Sequence, residues 1–96
     1  MKTVGKLLVF VYTKSNEITW DEPKRIANLE KHGLDFAALS LEFFLNSIVI
    51  PAKKNRPQAI GKMQDGTISV IFGTLGSEGI SVISMRRANS KERSLL

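Results

Sequence analysis

Cysteine is absent from this 96-residue chain, which excludes a disulfide scaffold and a thiolate metal site. Histidine occurs once, at His32. A zinc site would therefore draw nearly all its ligands from carboxylates, against the usual donor set. No apolar run is longer than Leu7–Tyr12, well short of the ~20 residues that a membrane helix needs. No small-residue cleavage site follows that run, so it does not read as a secretory leader. The chain is expected to be soluble and cytoplasmic, with no membrane partner. What is present is ordinary for a globular domain: hydrophobic residues make up 43% and charged residues 24%.

Charge is unevenly spread. Residues 1–50 carry six Lys/Arg and six Asp/Glu, whereas residues 51–96 carry eight Lys/Arg and three Asp/Glu, so the net +5 lies wholly in the second half. Such asymmetry points to an anionic partner such as nucleic acid. A solvated basic face that serves only solubility is the competing reading.

Residues 1–16 read as an N-terminal extension, poorly ordered or added to a sheet as an edge strand. Residues 17–96 read as a single domain. After a short extended segment at Ile18-Thr19-Trp20, Asp21 is expected to cap a helix running to Lys31, with Pro23 in its first turn and Gly33 ending it. Ile26 and Leu29 are expected to share one of its faces. A second helix is expected from Asp35 to about Phe44, with Phe36, Leu39 and Phe43 as its buried stripe. The period then changes to two. Strands are expected at Ile48–Ile50, Gln58–Met63, Thr67–Thr74 and Ile80–Arg87, with a hairpin turn at Asp65-Gly66. Asn89 and Glu92 have the spacing of a capping box that opens a last short helix. The fold class is α+β: two N-terminal helices packed on a three- to four-stranded antiparallel sheet, with a short C-terminal helix.

Alternation sorts the basic residues. Arg56 and Lys62 share a parity with Gln58 and Ile60. Arg86 has the parity of Ile80 and Val82, and Arg87 that of Ile83 and Met85, so the two arginines should point to opposite faces. Arg56, Lys62, Arg86 or Arg87, Lys91 and Arg93 can form one basic surface, with Lys53 and Lys54 in the loop beside it. Arginine presents a planar fork that suits phosphate. The structural alternative is that Arg86 or Arg87 pairs with Glu22, Glu30 or Glu92. His32 titrates near neutrality and could move a proton to or from a ribose 2′-OH. Its position before Gly33 equally suits a histidine bonding the carbonyls that end a helix. Trp20 could stack on a base, but a tryptophan at a strand–helix junction fits core packing better. No metal motif, phosphate-binding glycine loop or Ser–His–Asp order is present.

Several segments carry a resemblance. Trp20-Asp21-Glu22-Pro23-Lys24, then Asn28, then Lys31-His32-Gly33-Leu34-Asp35-Phe36 resemble the W-D-x-x-K-x-x-x-N-x-x-K-H-G-[VI]-x-F opening of the BrnT family of type II toxins. Arg56 with Ala59-Ile60-Gly61-Lys62 resembles that family's R-x-x-x-I-G strand. Ile80-Ser81-Val82-Ile83-Ser84-Met85-Arg86-Arg87-Ala88, followed by Glu92-Arg93, resembles its S-A-R-[RK]-A and E-R segments. Residues 1–16 fall outside the pattern, Gly76–Gly79 replaces its E-R-G turn, and its aromatic-acidic ending is absent. The resemblance implies a RelE-like fold and an endoribonuclease that inhibits translation, working without metal or other cofactor. It also implies neutralisation by a ribbon-helix-helix antitoxin of the BrnA type, through which alone DNA would be contacted. His32, Arg56, Lys62, Arg86 and Arg87 are then the candidate catalytic residues, and Lys53, Lys54, Lys91 and Arg93 the candidate RNA-binding ones. The alternative is a non-catalytic basic module that binds an acidic protein segment or nucleic acid.

Overall fold

The computed structural model describes residues 3–4, 18–64, 66–74 and 79–96. Its elements are strand β1 (Thr3–Val4), β2 (Ile18–Trp20), helix α1 (Glu22–His32), a 3-10 turn at Phe36–Ala38, α2 (Leu41–Leu45), β3 (Ile48–Pro51), a 3-10 turn at Lys53–Asn55, β4 (Pro57–Met63), β5 (Gly66–Thr74), β6 (Ile80–Arg87) and α3 (Ser90–Arg93). The strands form one sheet in the order β1-β3-β4-β5-β6-β2. The α+β class holds. The expected sheet of three or four antiparallel strands is corrected to six, of which β1 is only a two-residue edge. β2 runs parallel to β6, with Ile18 opposite Ile80 and Trp20 opposite Val82. A three-residue segment has no pattern of its own that announces a partner some sixty positions away, which is why the pairing escapes a local reading. Thr3 and Val4 pair with Val49 and Ile48. The Leu7–Tyr12 run lies outside the described residues.

One face of the sheet is covered. Val49, Ala59, Ile68, Val70, Phe72, Ile80, Val82 and Met85 join Leu34, Phe36, Leu39, Phe43 and Phe44 in a single buried cluster. Phe44 meets both Phe43 and Phe72 edge-to-face, with ring centroids 5.3 and 5.2 Å apart. Gly61 is the close-approach point: a Cβ there would lie 3.0 Å from the Phe43 ring.

The expected second helix is two pieces. Leu39 and Ser40 are extended, and the Ser40 hydroxyl accepts from the Phe43 N–H as the cap of α2, while Asp35 accepts from the Ala37 N–H at the 3-10 turn. Phe36, Leu39 and Phe43 are nevertheless all buried as expected. One further expectation is corrected on α1. Asp21 has extended backbone at the N-cap position but makes no side-chain capping bond. Ile26 and Leu29 are exposed, and the buried residue of α1 is Asn28.

The reason lies at the sheet edge. β2 covers β6 only as far as Val82, so Met85, which lies opposite Val70 of β5 on one side, has no strand beside it on the other. The Asn28 side chain takes the strand's place: its Oδ1 accepts from the Met85 N–H at 3.0 Å, and its Nδ2 donates to the Met85 carbonyl at 2.9 Å and the Leu34 carbonyl at 3.1 Å. A buried amide fully matched in this way avoids the desolvation cost of orphaned backbone groups. Gly33 ends α1 at φ 70, the left-handed conformation expected of it.

Candidate nucleic-acid interface

The second side of the sheet is bare only in part, since Gln58, Ile60 and Ser69 on it are buried; what the bare part presents is set by an irregularity in β6. Register runs from Phe72↔Val82 directly to Ile71↔Ser84, so Ile83 is an extra residue in a bulge. The bulge inverts the alternation. Met85, opposite Val70, returns to the covered face, and Arg86, opposite Ser69, points to the other. Simple parity puts Arg86 with Ile80 and Val82; the extra residue reverses that assignment. Arg87, opposite Ile68, has the alternation of Met85 and is exposed at the strand's end.

On the bare face, Arg56, Lys53 and Lys54 from the β3–β4 loop meet Arg86, Ser84 and Gln58 around a cleft of about 460 Å³ floored by Ile71 and Ile83. The loop is a tight closure. The Ala52 N–H donates to the Arg56 carbonyl at 2.8 Å, and Pro51 and Pro57 stand opposite each other at its base. Lys54 and Asn55 both have left-handed backbone, φ 62 and 58. Asparagine tolerates that region; lysine adopts it at a cost. Lys53, Lys54 and Arg56 are all exposed.

Arg86 is held from one side. Its Nη1 and Nη2 donate to Oε1 and Oε2 of Glu92 at 2.8 and 2.9 Å. Glu92 Oε1 also accepts from the Asn89 N–H, and Oε2 from Gln58 Nε2, which in turn donates to Ser69. The Asn89–Glu92 capping box is complete. The Arg86 guanidinium, with the Asn89 N–H and Gln58 amide behind it, holds the Glu92 carboxyl down at about 2. Of the pairings open to the two arginines from sequence, Arg86 with Glu92 is the one formed.

The remaining candidates lie elsewhere. His32 is exposed at the last turn of α1 and lines no part of the cleft. Lys62, also exposed, borders a separate hollow with Ser40, Glu42, Phe43 and Asn46. Lys91 borders an apolar depression with Ile50 and Leu95. Arg93 donates to the Ala88 carbonyl at 2.8 Å, which makes it part of the β6–α3 joint. Trp20 packs against the core cluster, and its indole donates to Glu22. Glu22 is held at about 2 by Arg25 and that indole, and Arg25 also binds Asp35. Gln58 and Ser84 are members of the site that sequence reading does not single out, whereas Glu92 is named from sequence only as a possible partner of Arg86 or Arg87 and as a capping residue. The signal for Glu92 is its capping-box position; the even spacing of Gln58 with Arg56 is the signal for Gln58.

Among the described residues no group of acidic, histidine or cysteine side chains is arranged to hold a metal, and no helix is long and apolar enough to cross a membrane. A family model described as "Ribonuclease toxin, BrnT, of type II toxin-antitoxin system" matches residues 20–92. Among solved structures, the chain is similar to the Brucella abortus ribonuclease toxin BrnT, known from a 1.1 Å crystal structure, at 55% identity and a TM-score of 0.70, over 76% of this chain and 96% of that one. No curated protein matches the chain.

Proposed function

Because this chain belongs to the BrnT family of type II ribonuclease toxins, we propose that the cleft of Lys53, Lys54, Arg56 and Arg86 is where it binds RNA and cleaves it in the cytoplasm without a metal ion. The observation that carries this reading is the convergence of those cations, from a strained loop and a bulged strand, on the open part of the second sheet face. Backbone cleavage without metal proceeds by attack of a ribose 2′-oxygen on the adjacent phosphorus as the 5′-oxygen leaves. Negative charge builds on the phosphoryl oxygens, and fixed cations lower that barrier. Arg56 and Arg86 take this role. The cleft's candidates for moving protons are Lys53 and Lys54: one, as the free amine, takes the proton from the 2′-hydroxyl, and the other, as the ammonium, gives one to the leaving 5′-oxygen. Glu92 is unsuited to act as a base, since both its oxygens are occupied by donors. His32 and Lys62, named from sequence as candidates, take no part in this cleft.

The partner in this reading is a ribbon-helix-helix antitoxin of the BrnA type, an acidic segment of which covers the same cleft. DNA is reached only through that partner. Charge complementarity would make their association fast and salt-sensitive. Expression of the chain should arrest growth. Arrest should disappear with Arg56→Ala and Arg86→Ala together, at unchanged folding, and with co-expression of the antitoxin. A wild-type chain that is harmless and cleaves no RNA, yet binds polyanions through this cleft, would establish the non-catalytic binding module instead.

A further inference from the structure

The way Arg86 is gripped leaves a particular part of it unused. A guanidinium has five N–H donors in one plane. Nη1 spends both of its hydrogens, on Glu92 Oε1 and on the Arg87 carbonyl, and Nη2 spends one on Glu92 Oε2. The Nε–H and the second Nη2 hydrogen, which lie side by side along one edge, have no acceptor among the described residues. The side chain of Arg86 is 41% exposed while that of Glu92 is only 13% exposed, so the anchor is sheltered and the arginine it holds is open. Gln58 and Ser69 fix Glu92 from behind, and Asn89 from the side.

We propose that Glu92 is a positioning residue for RNA cleavage, which clamps the end of the Arg86 guanidinium so that its free Nε–Nη2 edge receives a phosphate as a two-pronged fork. This rests on the reading of the cleft as the RNA site and adds the direction from which the phosphate is held. Two parallel charge-assisted bonds to one phosphate are strong only if the fork is already aimed. An unclamped arginine would have to be immobilised on binding, and its contribution would shrink accordingly.

The test is a double-mutant cycle on the full chain. Glu92→Gln keeps a residue able to close the capping box, but it removes the charge and one acceptor from the clamp. RNA cleavage by the wild type, Glu92→Gln, Arg86→Ala and the double variant is compared. In parallel, the Arg86 Nε–H signal is followed by NMR in the wild type and Glu92→Gln as a short oligouridylate is added. Glu92→Gln is expected to lower kcat/KM about tenfold in the wild-type background, the size of one charge-assisted contact, and not at all in the Arg86→Ala background. The Nε–H signal should shift on RNA addition in the wild type and be broadened by exchange with water in Glu92→Gln. An effect of Glu92→Gln that persists undiminished in the Arg86→Ala background means that Glu92 acts on the fold and not through Arg86, which overturns the inference. An Nε–H signal that ignores RNA overturns the fork geometry. If Arg86→Ala itself cleaves RNA normally, the fault is in the assignment of the cleft, a separate failure.

Discussion

On the covered face of the sheet, the polar groups nearest the core are consumed by the fold: Asn28 satisfies both backbone groups of Met85 and the Leu34 carbonyl. On the bare face, cations are left over: Lys53, Lys54 and Arg56 stand exposed around a cleft, and Arg86 is tied by one end with its other edge free. The same contrast divides the chain in sequence. In the charge-balanced first half, Arg25 is paired twice, with Glu22 and Asp35. In the basic second half, Arg86–Glu92 is the one salt bridge among the described residues. In the proposed function, it is the positive charge gathered around this cleft, held in place at the cost of a left-handed lysine, that meets RNA.

The comparison breaks most visibly through the covered face. Phe44→Ala should destabilise the chain by about 3–5 kcal/mol in chemical denaturation, since the ring is fully buried between Phe43 and Phe72. Arg56→Ala on the bare face should move stability by less than about 0.5 kcal/mol. Comparable losses for the two would erase the distinction between the faces.

Asn28→Ala comes next. It strips the partners from the Met85 N–H and carbonyl at once, so a loss of about 2–3 kcal/mol is expected. Hydrogen exchange should show the Met85 amide becoming unprotected ahead of its neighbours. A Met85 amide that stays protected in this variant would mean that the edge is closed by something other than Asn28.

A smaller effect sharpens the bare face. Lys53→Ala with Arg56→Ala should flatten the salt dependence of RNA binding by about one unit of slope for each phosphate no longer neutralised. Arg93→Ala, outside the cleft and with its Nη1 bonded to the Ala88 carbonyl, should change the slope less than either and lower the melting temperature. Filter binding across a salt series separates the two outcomes.

The smallest effect concerns the caps of α1. Asp21→Ala should change stability by no more than about 0.5 kcal/mol, because the Asp21 carboxylate makes no capping bond. Gly33→Val, at φ 70, should cost more than about 1 kcal/mol, since its branched Cβ clashes in that region. Equal thermal melts for the two variants would contradict this account of how α1 begins and ends.

Much of this organisation is legible in the amino-acid order. The period-two runs locate β3 to β6 within a residue or so, because each is bounded by proline, glycine or a tight turn. The stripe Phe36, Leu39, Phe43 is buried although the helix expected to carry it is broken at Leu39–Ser40; a 3-10 turn followed by a helix keeps the same residues inward. What is not legible depends on residues far apart in sequence. The Ile83 bulge turns Arg86 over, and nothing in Ile80–Arg87 marks one residue as extra. The buried face of α1 escapes a periodicity argument because the helix crosses a sheet edge, where a matched amide serves better than Ile26 or Leu29. The charge split points to the second half, but only the three-dimensional arrangement groups Lys53, Lys54, Arg56 and Arg86 and sets His32 and Lys62 apart.

The most direct test of the central claim is RNA cleavage by purified chain in the presence of chelator, comparing a Lys53→Ala, Arg56→Ala, Arg86→Ala triple variant with a His32→Ala, Lys62→Ala double variant, each checked for native melting. The account predicts that the triple variant loses cleavage by at least about a hundredfold, the scale on which removing positioned transition-state donors acts, while the double variant stays within a few-fold of wild type. Cleavage retained by the triple variant and abolished in the double variant would place the chemistry away from the bare face and contradict the account.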